Sequence, residues 1–274
     1  MKTPKGLVLL ILGLIALVAS ILTPSILLDN MVNIAVASAT ALVIDYLVGR
    51  FYDKKRGFSN GGLITAWIVA MVLSSVTPIY VVMATTAIAV ASKHIFRVKR
   101  KPIFNPAAVG LLISTYLFSS MQSWWAAMTM LPNATMILLA VALVIIARRV
   151  KKVPQVLGFL ASYLVIVVFF LLFKQTNTEA LFALENPMAN SALFLAAFML
   201  TDPPTSPAKP RAQVVFGVIT GAVSLLTYLI LPGELIYLFV GLLVANGLHF
   251  LKIQLYDKRQ QLWTGERYAS STRS

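Results

Sequence analysis

The sequence predicts an all-α polytopic membrane protein with about ten transmembrane helices. Three observations predict it. Of the 274 residues, 59% are hydrophobic and 12% charged, whereas a soluble domain carries roughly 45–50% and about 25%. Apolar runs long enough to approach a bilayer span recur from end to end. The basic residues then fall almost wholly on one side of the topology those runs imply.

In chain order the apolar runs lie at residues 6–28, 31–49, 60–77, 79–96, 105–122, 134–147, 154–173, 188–201, 212–231 and 235–251. Lys2 and Lys5 before the first run resemble a signal peptide. The run from Gly6 to Leu28 exceeds the usual apolar core of about 7–15 residues, so it is kept as the first membrane helix. Residues 1–253 then form the transmembrane domain and 254–274 a polar cytoplasmic tail, a surface segment or disordered. With the N-terminus cytoplasmic, the even-numbered helices end on that side, and 22 of the 23 Lys and Arg lie there, all but Lys174. That is the positive-inside pattern, with both termini cytoplasmic. The opposite side holds Asp29, Glu179, Glu185 and Glu234, with Trp124-Trp125 where an interfacial aromatic belt would sit.

The same asymmetry accounts for the net charge of +14 through anionic lipid headgroups rather than nucleic acid. Docking of an acidic protein on the basic face remains open. With no cysteine and two histidines, the chain has no disulfide framework, thiolate metal site or haem cage. No GxxxxGKS/T phosphate loop and no GxGxxG fingerprint is present, so no nucleotide domain is visible.

The stretch from Asn190 to Gly217 organises the rest. An apolar run ends at Thr201-Asp202; Pro203, Pro204 and Pro207 follow, then Lys209-Pro210-Arg211. Proline removes a backbone donor and disfavours helix before it, so the helix stops near Thr201 and restarts near Pro210. Such a break beside lipid is tolerated where it is protein-buried or lines a wet cavity. Asp202 ends a helix, where the dipole disfavours an anion. Lys209 or Arg211 is its structural partner; a ligand or transported cation, held together with Thr201, Thr205 and Ser206, is the alternative. Asn105-Pro106 is a helix start, either a plain cap or a cap plus anion site beside Lys99, Arg100 and Lys101. Asp45 either faces the protein interior or reaches Arg50. Asn60-Gly61-Gly62 through Pro78 parallels Asn190 through Pro207, and Lys101-Pro102 parallels Lys209-Pro210. Either chance or an inverted repeat produces these few matches.

TDPPTSPAKPRAQVVFGVITG, the later helix ending Leu242-Leu243-Val244-Ala245-Asn246, and FNPAAVG at Phe104–Gly110 resemble a known family, RnfD/NqrB. Its members are membrane proteins of two complexes, the Rnf ferredoxin–NAD oxidoreductase and the sodium-translocating NADH–quinone oxidoreductase. The resemblance implies two inverted five-helix halves, similar to urea transporters. It also implies membership of a bacterial cytoplasmic-membrane complex that passes electrons through flavins and moves Na⁺ or H⁺. Asn105, Thr201, Asp202, Thr205 and Ser206 are the residues expected to hold a cofactor, FMN or riboflavin. Typical members attach FMN to a threonine in an S-x-A-T motif. Here MQSWWAAMTMLPN replaces it, so covalent flavin on Thr129 is not expected. The partners implied are other proteins of the complex or a separate flavoprotein. A stand-alone small-solute or ion channel on the same scaffold, or a membrane anchor for a flavoprotein, are the competing readings.

Overall fold

The structure, a computed structural model, describes residues 3–51, 60–98, 101–128, 134–173, 186–230 and 235–271. Lys54, Lys55, Arg56, Lys99, Arg100, Thr129, Lys174, Glu179, Glu185 and Glu234 lie outside them. Ten α-helices are found among the described residues: α1 Pro4–Leu22, α2 Leu27–Phe51, α3 Asn60–Val72, α4 Ile79–Ile95, α5 Pro106–Phe118, α6 Ala134–Arg149, α7 Val153–Phe173, α8 Asn186–Leu195, α9 Pro210–Ile230 and α10 Tyr237–Ser271. By length and composition, four stretches can cross a membrane: Pro4–Leu22, Pro24–Val48, Pro210–Ile230 and Tyr237–Tyr256. The outward faces of α1, α6, α7 and α9 expose Leu14, Leu17, Ile137, Val141, Leu164, Val165, Val215 and Leu226. An apolar surface of this extent has lipid as its solvent.

Several boundaries depart from the sequence reading, each for a local reason. The first run divides at Thr23, because Pro24 opens a short 3₁₀ turn before α2. The third stops at Val72, and the chain after it pairs sideways: Ser74 N–H bonds Met121 O and Trp124 N–H bonds Val72 O, each at 3.0 Å. The fifth ends at Phe118, where Ser119 adopts a left-handed conformation (φ 48°). The tail, expected as a polar surface or disordered segment, continues α10 as helix to Ser271. Trp124 and Trp125 do not form an interfacial belt. Trp124 is fully enclosed and stacks on Phe239 at 5.4 Å, while Trp125 Nε1 donates to Ala70 O at 2.8 Å.

The two halves repeat their internal devices. α3 and α8 are short and end in irregular backbone; α8 does so through a π-helical turn, Ala196–Leu200. A buried amide on the second helix of each half braces that break: Asn33 Nδ2 donates to Ser75 O (3.1 Å) and Gln155 Nε2 to Leu200 O (2.6 Å). The fourth and fifth helices of each half also meet closely. A Cβ on Gly110 of α5 would stand 2.9 Å from Thr85 O of α4, and one on Gly241 of α10 would stand 2.5 Å from Thr220 O of α9. Small residues let helix backbones approach where water supplies no driving force for association.

Candidate functional site

Asn105 is where the halves are tied. Its extended backbone and side-chain acceptor begin α5: Oδ1 accepts from Ala108 N at 3.1 Å, with Pro106 in the first turn. Its Nδ2 donates to Met199 O (3.1 Å), and its own main-chain N–H donates to Asn246 Oδ1 (2.9 Å). Asn246 of α10 completes the circuit by donating from Nδ2 to Thr205 O at 3.0 Å. All four bonds are buried, so each is worth more than its surface counterpart.

The proline-broken segment is held by its own polar residues. Thr201 Oγ1 donates to Ala197 O (2.6 Å), Thr205 Oγ1 to Asp202 Oδ2 (3.0 Å) and Ser206 Oγ to Asp202 O (2.7 Å). From the far side, buried Lys152 donates Nζ to Pro207 O (2.6 Å) and Ser206 O (3.3 Å). Gln213 Nε2 donates to Ala208 O at 3.1 Å. The last carbonyls of a helix have no partners within it; here Asn105 Nδ2 and Gln155 Nε2 donate to Met199 O and Leu200 O, while Lys152 and Gln213 donate to carbonyls of the broken segment beyond.

Asp202 is half-buried, and neither Lys209 nor Arg211 pairs with it; both are exposed. Its countercharges are Lys5 and Lys152 at longer range. Burial pushes the Asp202 carboxyl up to about 6, opposed by the Thr205 hydroxyl and those two lysines. Burial pushes Lys152 down to about 8, opposed by the Asp202 charge. Asp45 likewise does not reach Arg50, which is exposed. It faces inward, with Oδ1 2.6 Å from Lys93 Nζ and 3.5 Å from His94 Nε2.

These groups meet around one cavity of about 850 Å³ lined by residues of both halves. Asn105, Thr201 and Asp202 line it, with Asp45, Lys93, His94, Lys5, Arg97 and Lys101. Val8, Ile64, Ile68, Ile146, Val150 and Phe198 supply apolar walls. Thr205 and Ser206 do not line it; they stand behind Asp202 and shape its loop. Three of the five residues expected from the sequence to hold a cofactor therefore line the cavity. It missed Asn246, Lys152, Gln155 and the Asp45–Lys93–His94 cluster as parts of the same site. The one signal in the sequence was polarity within apolar helices, as at Asn246 in LLVANGL. No group of three or more His, Asp or Glu able to hold a metal occurs among the described residues.

The cavity suits an amphipathic, partly anionic organic ligand. Its volume falls in the range of about 300–1,000 Å³ common to small-molecule sites. Its lining is largely apolar, and its charged residues are four basic ones, Lys5, Lys93, Arg97 and Lys101, against two carboxylates, Asp45 and Asp202. No curated protein sequence matches the chain. The NQR2, RnfD, RnfE family matches it over residues 5–135 and 127–233, dividing it near the midpoint of the structural repeat. On a match of that extent, the chain belongs to the NQR2, RnfD, RnfE family of polytopic membrane proteins.

Proposed function

We propose that this chain is the membrane subunit of an Rnf/Nqr-type electron-transport complex that depends on flavin and translocates an ion, and that its basic-face cavity holds the flavin. Family membership supports the complex. The observation that carries the flavin reading is the cavity itself, largely apolar in its walls with an excess of basic over acidic residues in its lining. Val8, Ile64, Ile68 and Phe198 would contact the ring system. Lys5 and Lys101 would hold the phosphate or ribityl end, with the positive end of the α5 dipole adding to the potential there. A bound flavin supplies reversible one- and two-electron chemistry; the chain excludes water, orients the ring and sets the charge around it. Asp202, whose carboxyl is raised by burial to about 6, would be the residue that exchanges the coupled ion.

The proposed setting is a bacterial cytoplasmic membrane with both termini cytoplasmic. The basic face carrying Arg97, Arg148 and Arg149 would then meet anionic lipid and the acidic surface of another protein of the complex or a flavoprotein. The deciding experiment purifies the chain in mild detergent, extracts it with acid and assays the supernatant for flavin fluorescence. About one acid-released flavin per chain is expected, with no mass increment left on the protein. Flavin-free protein that conducts small solutes into liposomes overturns this reading in favour of a transporter. Flavin-free protein without flux leaves a membrane anchor.

A further inference from the structure

Two adjacent residues of α4 converge on one carboxylate oxygen. Lys93 Nζ lies 2.6 Å and His94 Nε2 3.5 Å from Asp45 Oδ1, and all three residues line the cavity. Asp45 is only 6% exposed. The packing is built around it: a Cβ on Gly62 of α3 would meet Asp45 Oδ2, so only glycine leaves the carboxylate its place. Lys93 already neutralises that carboxylate. His94 is surplus to charge balance, and imidazole is the side chain that gains and gives up a proton at physiological pH.

The other charged groups facing this cluster come from every neighbouring wall. Lys5 projects from α1, Arg97 and Lys101 from the antiparallel strand pair Arg97–Val98 and Lys101–Pro102 before α5, and Asp202 from the proline-broken segment with Lys152 behind it. Asp45 is the carboxylate in direct reach of His94, with Oδ1 3.5 Å from its Nε2.

We propose that His94 is the proton-exchange residue for the redox ligand of this cavity, with Asp45 as its positioning residue; the inference rests on the flavin reading above. Two electrons arrive from an electron-transfer partner protein. Protonated His94 gives up one proton: its N–H bond breaks, the electron pair stays on the imidazole, and a new N–H bond forms at a ring nitrogen of the reduced ligand. Neutral His94 then takes a proton from water at the basic face. Oxidation runs both transfers backwards. Lys93 stays paired with Asp45 throughout the cycle.

The test uses the full chain in detergent micelles with added FMN, photoreduced by a sacrificial donor in the presence of a pH-indicator dye. Binding is followed separately by quenching of flavin fluorescence. His94→Gln should bind FMN as the wild type does and slow proton uptake about 100-fold or more, the usual contribution of a positioned acid. Asp45→Asn should slow it as well, with recovery in Asp45→Glu. In the ligand-free protein, ¹⁵N-histidine spectra of the His249→Gln background should show the His94 ring resonances displaced in Asp45→Asn and restored in Asp45→Glu. Unchanged proton uptake in His94→Gln with FMN bound overturns the inference alone. Unmoved His94 resonances overturn the role given to Asp45. Absence of FMN binding in every variant overturns the flavin reading and this inference with it.

Discussion

The main-chain N–H of Asn105 and the side-chain oxygen of Asn246 are 2.9 Å apart in space and 141 positions apart in sequence. That bond joins the last helix of the first half to the last helix of the second. Asn246 passes the connection on to Thr205 O, inside the proline-broken segment. One asparagine thus fixes the helix start at one wall of the cavity and the irregular backbone at another.

Asn246→Ala removes both bonds and leaves a buried N–H and a buried carbonyl without partners. The expected cost is about 2–4 kcal/mol. It should be read as a clear fall in unfolding temperature, by intrinsic fluorescence in detergent. A change within error would mean that the halves are held chiefly by apolar packing.

Asp202 gives a pH signature. The folded carboxyl is raised to about 6 from an ordinary 3.8, so the folded state holds this proton more tightly than the unfolded chain. Its contribution is fully present below about pH 4 and is lost as the pH rises through about 6. Asp202→Asn is neutral throughout and escapes that loss. Its unfolding temperature relative to wild type should therefore be higher at about pH 7.5 than at about pH 4. A pH-independent difference would contradict the assignment.

Lys152 supports the segment through charged hydrogen bonds to the Ser206 and Pro207 carbonyls. Lys152→Met keeps the stem and deletes the donors, with an expected loss of about 1.5–3 kcal/mol. Neutralising Lys209 or Arg211, both exposed, should shift stability by less than about 0.5 kcal/mol. If Arg211→Gln proved the more damaging change, the countercharge would lie where the sequence alone suggested.

Topology and flavin attachment can be checked separately. Cysteines replacing Asp29 or Asn177 should react with an impermeant reagent added outside intact cells, and those replacing Gly57 or Ser271 should not. Co-expression with a flavin transferase should leave the intact mass unchanged. One added FMN, lost in Thr129→Ala, would contradict the account of a chain without the S-x-A-T motif.

Much of this architecture is legible in the sequence because lipid imposes coarse rules. Apolar run length marks the helices, proline marks the break at 203–210, and Asn105-Pro106 marks a helix start; all three hold in the structure. Partner choice is less legible. Asp202 has basic neighbours in sequence, yet its electrostatic partners are Lys5 and Lys152, brought near by tertiary packing. Asp45 passes over Arg50, about a turn and a half along its own helix, for Lys93 and His94 of α4. Trp124 and Trp125 suggest a membrane interface, but they follow a left-handed turn at Ser119 that carries them back under the first break. In each case a non-local contact overrides the local pattern.

A flavin held in the cavity between the halves would be displaced by a side chain that fills the same space. Ile64 lines the cavity and is partly exposed to it, so Ile64→Trp adds bulk to the ligand space while its apolar character is kept. The measurement is FMN and riboflavin affinity by fluorescence quenching, for wild type and Ile64→Trp, with unfolding temperature as the control for folding. The account predicts stoichiometric binding to the wild type and at least about a tenfold loss in the folded variant, equivalent to about 1.4 kcal/mol. Equal affinity in both proteins, or no flavin bound by the wild type, would contradict it.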